Sequence, residues 1–216
     1  TIMQNPQNGN PEPRLQDVII NGEKGILNSL GLPGPGVEKF ITLLKKSKVW
    51  NYNRPIGISI GGHDKTEYIN NIKLIDESIK EYNDKYFYEL NISCPNTKNG
   101  KTITEDLSTL ETILQETKKM TNKVISVKVT PDASDQTLKN IGEICSSFDH
   151  ILINAGNTQY KTPEDVGINP LNFSMPGGGL SGPFLFKRTL EMVSLFSQFQ
   201  LPIMATGGIS SIHHIR

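Results

Sequence analysis

The chain has 216 residues, and its 22 Lys and Arg balance 22 Asp and Glu, so its formal charge is zero. That length suits one sizeable domain with its own core, and the charge balance offers no basic excess to nucleic acid or an anionic membrane surface. No apolar run approaches the roughly 18 residues of a membrane span, and two cysteines, Cys94 and Cys145, suit a reducing compartment better than a disulfide framework.

Residues 1–36 are rich in turn signals: Asn5-Pro6, Asn8-Gly9-Asn10-Pro11 and Pro33-Gly34-Pro35-Gly36. Between them, Leu15–Ile20 and Gly25–Leu30 read as short strands or a hairpin. Such a region is either an ornament over a barrel mouth or a set of loops that carries binding groups.

A rhythm follows. Val37–Lys46 has helical spacing, Pro55–Ile60 is a strand ending in Gly61-Gly62, and Lys65–Tyr82 is a helix. Tyr86–Ile92 is an aromatic and aliphatic strand, and Ile103–Met120 a helix with Leu107, Leu110, Ile113 and Leu114 on one face. Val124–Val129 is a β-branched strand, Ser134–Phe148 a helix opening at a Ser or Asp cap, and His150–Asn154 a strand. Cys145 falls on the apolar face of that helix with Leu138, Ile141 and Phe148, and reads as core. Phe184–Phe199 is a helix, Pro202–Ala205 a strand leading into Thr206-Gly207-Gly208, and Ser210 caps a last helix.

Strand and helix alternate about every 30 residues, the signature of βαβ units around a parallel sheet. The expected class is α/β, a (β/α)8 TIM barrel. Five or six core strands are legible, whereas a closed barrel needs eight and about 250 residues. The expectation is therefore one barrel domain over 1–216, incomplete here, with its first and last strands in a longer native polypeptide. An open doubly wound sheet is the alternative, although no Gly-x-Gly-x-x-Gly follows a first strand.

The strand ends carry the chemistry. Asn91-Ile92-Ser93-Cys94-Pro95-Asn96 places one thiol where a strand gives way to a turn, between carboxamides. A thiol there is either a small core hydrophobe or an active-site group. Lys128 is the only charge in Ile125-Ser126-Val127-Lys128-Val129, so it needs a polar or anionic pocket. Asn154-Ala155-Gly156-Asn157-Thr158 ends the next strand. Gly177-Gly178-Gly179-Leu180-Ser181-Gly182 and Thr206-Gly207-Gly208-Ile209 both precede helices, and backbone N–H groups at a helix N-terminus bind phosphate; ordinary turns look the same. Together these features point to a phosphorylated cofactor beside a polar, uncharged heterocycle. A metal site finds no support, since His63, His150, His213 and His214 are scattered and His213-His214 reads as a solvated helix face. No Gly-x-Ser-x-Gly supports a hydrolytic triad.

These segments resemble the dihydroorotate dehydrogenase family almost end to end. Gly9-Asn10-Pro11-Glu12-Pro13-Arg14 and Leu27-Asn28-Ser29-Leu30-Gly31-Leu32-Pro33 are similar to two of its loops. Asn91–Asn96 matches its active-site loop. Val127-Lys128-Val129, Gly178-Gly179-Leu180-Ser181-Gly182 and Thr206-Gly207-Gly208-Ile209 match its flavin-contacting segments.

The resemblance implies a (β/α)8 barrel that holds FMN at the C-terminal ends of its strands and oxidises dihydroorotate to orotate. Cys94 falls on the catalytic base of the cytosolic class 1 enzymes, where membrane-bound class 2 enzymes have Ser. Asn28, Asn91, Asn96 and Asn157 fall on carboxamides that grip orotate, and Thr158 on a hydroxyl contact. Leu30, Gly31 and Leu32 offer backbone groups to the substrate carboxylate. Asn91 also faces the flavin, Lys128 stands near its N1/O2 edge, and Ser59, Gly182, Gly207 and Gly208 are further contacts, the last two at the phosphate. Asn154 competes with Asn157 for the substrate role; Asn157 is chosen because a hydroxyl residue follows it.

Gly31-Leu32-Pro33 and Thr206-Gly207-Gly208 look like class 1A, a cytoplasmic homodimer that reduces fumarate. Thr97-Lys98-Asn99-Gly100 looks more like class 1B, which passes electrons through an iron–sulfur partner to NAD. The rival enzyme is a dihydropyrimidine dehydrogenase-type domain, disfavoured because Asn96 stands where that family usually has His. The remaining rival is a non-catalytic flavin- or pyrimidine-binding protein.

Overall fold

The computed structural model describes residues 1–82, 84–93 and 103–215. A hairpin comes first. β1 (Leu15–Ile20) and β2 (Glu23–Asn28) pair antiparallel through Asn21-Gly22. Both turn residues are left-handed, with φ of 52° and 82°, the backbone that a two-residue Asn-Gly hairpin requires.

The rhythm then unfolds largely as expected. It runs α1 (Val37–Lys45), β3 (Ile56–Ile60), α2 (Lys65–Ile79), β4 (Tyr86–Asn91), α3 (Leu107–Met120) and β5 (Ile125–Lys128). α4 (Asp135–Ser146), β6 (Ile151–Ala155), β7 (Gln159–Lys161), β8 (Gly178–Ser181), α5 (Phe186–Ser197) and β9 (Ile203–Ala205) complete it. Asp64, Asp106 and Ser134 cap α2, α3 and α4 by accepting from the backbone N–H three residues on. No helix among the described residues is long and apolar enough to cross a membrane.

β3, β4, β5, β6 and β9 form one parallel sheet in that order. A doubly wound sheet reverses its strand order at a switch point. This sheet never reverses, as in a barrel. Ile2 adds a parallel bridge to Ile60 at the β3 edge. One face of the sheet packs on the helices: Ile58, Ile60, Tyr88, Leu90, Val127 and Ile153 are buried with Ile72, Ile75, Ile113, Leu114 and Ile141. Each such side chain contributes about 1.5–3 kcal/mol on burial.

The hairpin belongs to a second, antiparallel sheet in the order β1-β2-β8-β7. Its own small core is Val18, Leu27, Val166, Phe173 and Leu180.

Four expectations need correction. The run 177–182 does precede α5, but Gly178-Gly179 is not at the helix N-terminus; it lies in β8, with Asn28 opposite Gly179 and Leu27 opposite Leu180. A Cβ at Gly179 would overlap Thr158, and one at Gly178 would overlap the Asn28 carbonyl, so close strand packing excludes side chains there. The helix expected from Ile103 starts at Leu107; a short 3-10 turn over Ile103–Glu105 precedes it. Ser210 caps nothing: Ser211 precedes a single 3-10 turn, Ile212–His214. His214 is not a solvated face, since it stacks on Phe186 at 3.9 Å and accepts from the Ser210 N–H.

A polar knot ties α2 to the sheet far from the strand ends. Asp76 Oδ1 accepts from the hydroxyls of Tyr86 at 2.9 Å, Tyr88 at 3.2 Å and Thr121 at 3.1 Å. Burial, followed by the Asp76 charge, pushes the Tyr88 hydroxyl far above the usual phenol range. Burial and the bond to Asp76 do the same at Tyr86.

Candidate active site

Side chains alternate across a strand. Because Ile58, Tyr88, Leu90, Ile125, Val127 and Ile153 face the helices, the residues between them face the other way. Register lines these up as two rungs. The lower is Ser59, Glu89, Ser126 and Leu152; the upper is Asn91, Lys128, Asn154 and Met204. This inner face is unusually polar for a parallel sheet.

Lys128 is half-buried, and its ammonium has no hydrogen-bond or ion-pair partner among the described residues. Beside it, Asn154 donates to Glu89 Oε2 at 2.8 Å. Asn154 Oδ1 is buried without a partner among the described residues, as is Ser126 Oγ. Buried polar atoms are normally paired. An open cation and two open acceptor atoms fit a heterocycle with an anionic edge and ring N–H groups, as the implied flavin has.

Above the rungs, a hydrogen-bonded chain crosses the strand ends. Ser59 Oγ and Thr1 Oγ1 lie 3.0 Å apart, and Asn91 Nδ2 donates to Thr1 Oγ1 at 3.1 Å. Ser93 Oγ donates to Asn91 Oδ1 at 2.9 Å, and Asn157 Nδ2 donates to Ser93 Oγ. The Thr158 N–H donates to Asn157 Oδ1 at 2.9 Å. Both carboxamides are thereby fixed in orientation. The backbone of Asn91 is held by Tyr68, whose buried hydroxyl donates to its carbonyl at 2.7 Å.

A cleft of about 880 Å³ opens between these strand ends and the antiparallel sheet. Such a position, at the C-terminal ends of parallel strands, is where α/β folds bind ligands. Its lining includes Asn28, Leu30, Gly31, Leu32, Asn91, Asn157 and Thr158, all of the substrate residues expected from sequence that are described. Cys94 and Asn96 lie outside the described residues, as does the segment Thr97–Lys101. Asn154 is not part of the lining; its amide is committed to Glu89.

Of the expected cofactor residues, only Asn91 lines the cleft. Ser59 and Lys128 stand on the inner rungs. Gly207 and Gly208 have φ of 120° and 70°, and a Cβ at Gly208 would lie 2.7 Å from Phe186 Cα at the start of α5. Gly182 packs under the hairpin, where a Cβ would lie 3.1 Å from Gly25 Cα. Positive φ at all three, and close backbone approach at Gly208, thus favour glycine there, whatever else they bind.

Sequence reasoning missed Thr1, Gln7, Ser93, Asp132 and Tyr160 in the lining, and Glu89 beneath it. Ser93 sat within the recognised strand end. The others carry no local signal, since long-range contacts place them. The loop wall is equally built from afar: Asn28 Nδ2 donates to the Gly179 carbonyl at 3.0 Å.

A family model described as dihydroorotate dehydrogenase matches residues 1–214. The dihydroorotate dehydrogenase (quinone) of Acinetobacter baumannii is 33% identical, over 98% of this chain and 64% of its own length. The catalytic subunit of dihydroorotate dehydrogenase B (NAD(+)) from Caldicellulosiruptor saccharolyticus is 32% identical, over 94% of this chain and 64% of its own. The chain therefore spans just under two thirds of the length of these relatives. In structure it resembles the Eimeria tenella DHODH solved in complex with ferulenol, with a TM-score of 0.76 and 22% identity over 100% of this chain and 64% of that one.

Proposed function

The chain belongs to the dihydroorotate dehydrogenase family, and on that premise we propose that the whole protein oxidises dihydroorotate to orotate in pyrimidine biosynthesis, with FMN as its cofactor. The five parallel strands then form part of a (β/α)8 barrel, and the hairpin sheet forms one wall of its mouth. The observation that carries the reading is the convergence of Asn28, Asn91, Asn157 and Thr158 on one cleft, beside the Leu30–Leu32 loop.

The reaction removes a proton from C5, next to a carbonyl, and a hydride from C6. FMN, when bound, supplies the acceptor for the hydride. Lys128 would stand at its N1/O2 edge and offset the negative charge that collects there. Asn91 and Ser59 would meet the ring, Gly182 a further part of the cofactor, and Gly207 and Gly208 the phosphate. Asn28, Asn91, Asn96 and Asn157 would bind the pyrimidine edge, whose alternating donors and acceptors carboxamides match. The N–H groups of Leu30, Gly31 and Leu32 would take the carboxylate, and the Thr158 hydroxyl would complete the grip.

Cys94, three residues past the end of β4, would be the base that receives the C5 proton. The ordinary thiol pKa is about 8.5, so the site must lower it for the thiolate to serve near neutrality. Excluding water from the cleft strengthens each of these interactions.

The class 1A reading, with its homodimer and fumarate as acceptor, rests on Gly31-Leu32-Pro33 and Thr206-Gly207-Gly208 alone. The two relatives carry quinone and NAD(+) in their names, and neither supports fumarate. Orotate formation by the purified protein, assayed with fumarate, NAD and a quinone in turn, tests the activity and selects the acceptor. Absence of flavin absorbance together with absence of orotate under all three conditions would contradict the proposal.

A further inference from the structure

The loop that walls the cleft is held by its carbonyls. Asn10 Nδ2 donates to the Ser29 carbonyl at 2.8 Å. The Leu30 carbonyl accepts from the Asn10 N–H at 3.1 Å and from Arg14 Nη1 at 3.4 Å. Gln7 Nε2 donates to the carbonyls of Gly31 at 3.0 Å and Leu32 at 2.7 Å. Gln7 is itself anchored, since its N–H and carbonyl pair with Gly34 at 3.0 and 2.9 Å.

The N–H groups of Leu30, Gly31 and Leu32 have no acceptor among the described residues, although all three residues line the cleft. A trans peptide is planar, so a carbonyl and the N–H that follows it point in opposite directions. Fixing the carbonyls of Ser29, Leu30 and Gly31 therefore aims the N–H groups of Leu30, Gly31 and Leu32. Gly31 and Leu32 are both left-handed, with φ of 71° and 52°. That backbone is disfavoured for leucine and persists only where its surroundings enforce it. Successive N–H groups left open in such a turn make a concavity for an anion.

We infer that Gln7 is a positioning residue: by gripping the Gly31 and Leu32 carbonyls it holds the left-handed pair and aims the Leu32 N–H at the substrate carboxylate. The inference rests on the functional reading above. Gln7 touches neither the proton nor the hydride in this account. Its effect is confined to ligands with an anionic group at that end.

The test compares orotate with its neutral carboxamide on the flavin-loaded protein, following binding through perturbation of the flavin spectrum. Gln7→Leu keeps the bulk and removes both donors; Gln7→Met fills the same space and serves as a second variant. Removing one aimed donor to a charged group weakens orotate by about tenfold or more. The carboxamide should change by less than about threefold, since its neutral group gains much less from an aimed N–H. Flavin content and thermal midpoint, read in parallel, should match wild type. Equal weakening of both ligands, or of neither, in either variant overturns the inference. A wild-type protein that binds neither ligand overturns the functional reading, and this inference with it.

Discussion

Lys128 faces Asn91 across β4 and β5, Cα opposite Cα, and Asn154 occupies the same rung on its other side. The ammonium is half-buried between two carboxamides and makes no hydrogen bond or ion pair among the described residues, and the Glu89 carboxylate on the rung below is taken up by Asn154. Burying such an ammonium is unfavourable unless an anion joins it. Lys128→Met should therefore weaken FMN retention by about tenfold or more and slow flavin reduction, with the fold intact. Fluorescence titration of the apoprotein with FMN measures this. Unchanged affinity would remove Lys128 from the cofactor site.

The two candidate asparagines separate cleanly. Asn157 lines the cleft, whereas Asn154 lies outside its lining with its amide on Glu89. Asn157→Ala should raise the orotate dissociation constant by about tenfold or more while flavin stays bound. Asn154→Ala should leave orotate within about threefold and act on flavin retention instead, because its open Oδ1 belongs to the inner face. Isothermal titration with orotate distinguishes them, and the reverse pattern would exchange their roles.

The strand and helix rhythm was legible because each element carries its own period, and three of the helices also carry a side-chain cap, at Asp64, Asp106 and Ser134. The convergence of Asn28 with Asn157 was not visible in any period; motif resemblance supplied it. β7 and β8 escaped because Gly178 and Gly179 have no side chains to alternate, and partners far along the chain define the strand. Ile103 misled for a related reason. It is buried, and Thr104 donates to the Ile92 carbonyl at 3.1 Å, so the segment is fixed by contacts rather than by a helix. Gln7 carries no signal at all, since its meaning lies in carbonyls more than twenty residues away.

The two thiols should react very differently. Cys145 is fully buried in the core, and burial pushes its thiol up to about 12. At pH 8 almost none of it is thiolate, and the core shields what forms. A cleft thiol serving as a base would be reactive. Ellman's reagent should titrate one thiol in the native protein and two in denaturant, and the fast one should vanish in Cys94→Ser. Two fast thiols in the native state would contradict this.

The Asp76 knot predicts where alkali destabilises the fold. Tyr88 and Tyr86 hold their protons to higher pH when folded than the ordinary phenol does. The unfolded chain releases them first, so their contribution is whole below about pH 10 and declines as pH rises above it. For the fully buried Tyr88 the slope reaches about 1.4 kcal/mol per pH unit. Asp76→Ala, which strands three buried hydroxyls, should lose about 2–4 kcal/mol at neutral pH. Urea unfolding across pH 8–11 checks both, and a flat profile in wild type would refute the assignment.

The central claim is tested most directly by mixing the oxidised protein with dihydroorotate anaerobically and following the flavin absorbance by stopped flow. Wild type should bleach in a single turnover, with a rate that rises with pH until the thiolate dominates. Cys94→Ser should keep its flavin and bind orotate, yet bleach at least about a hundredfold more slowly near neutrality. A flavin that dihydroorotate does not bleach, or a mutant that bleaches at the wild-type rate, would contradict the account.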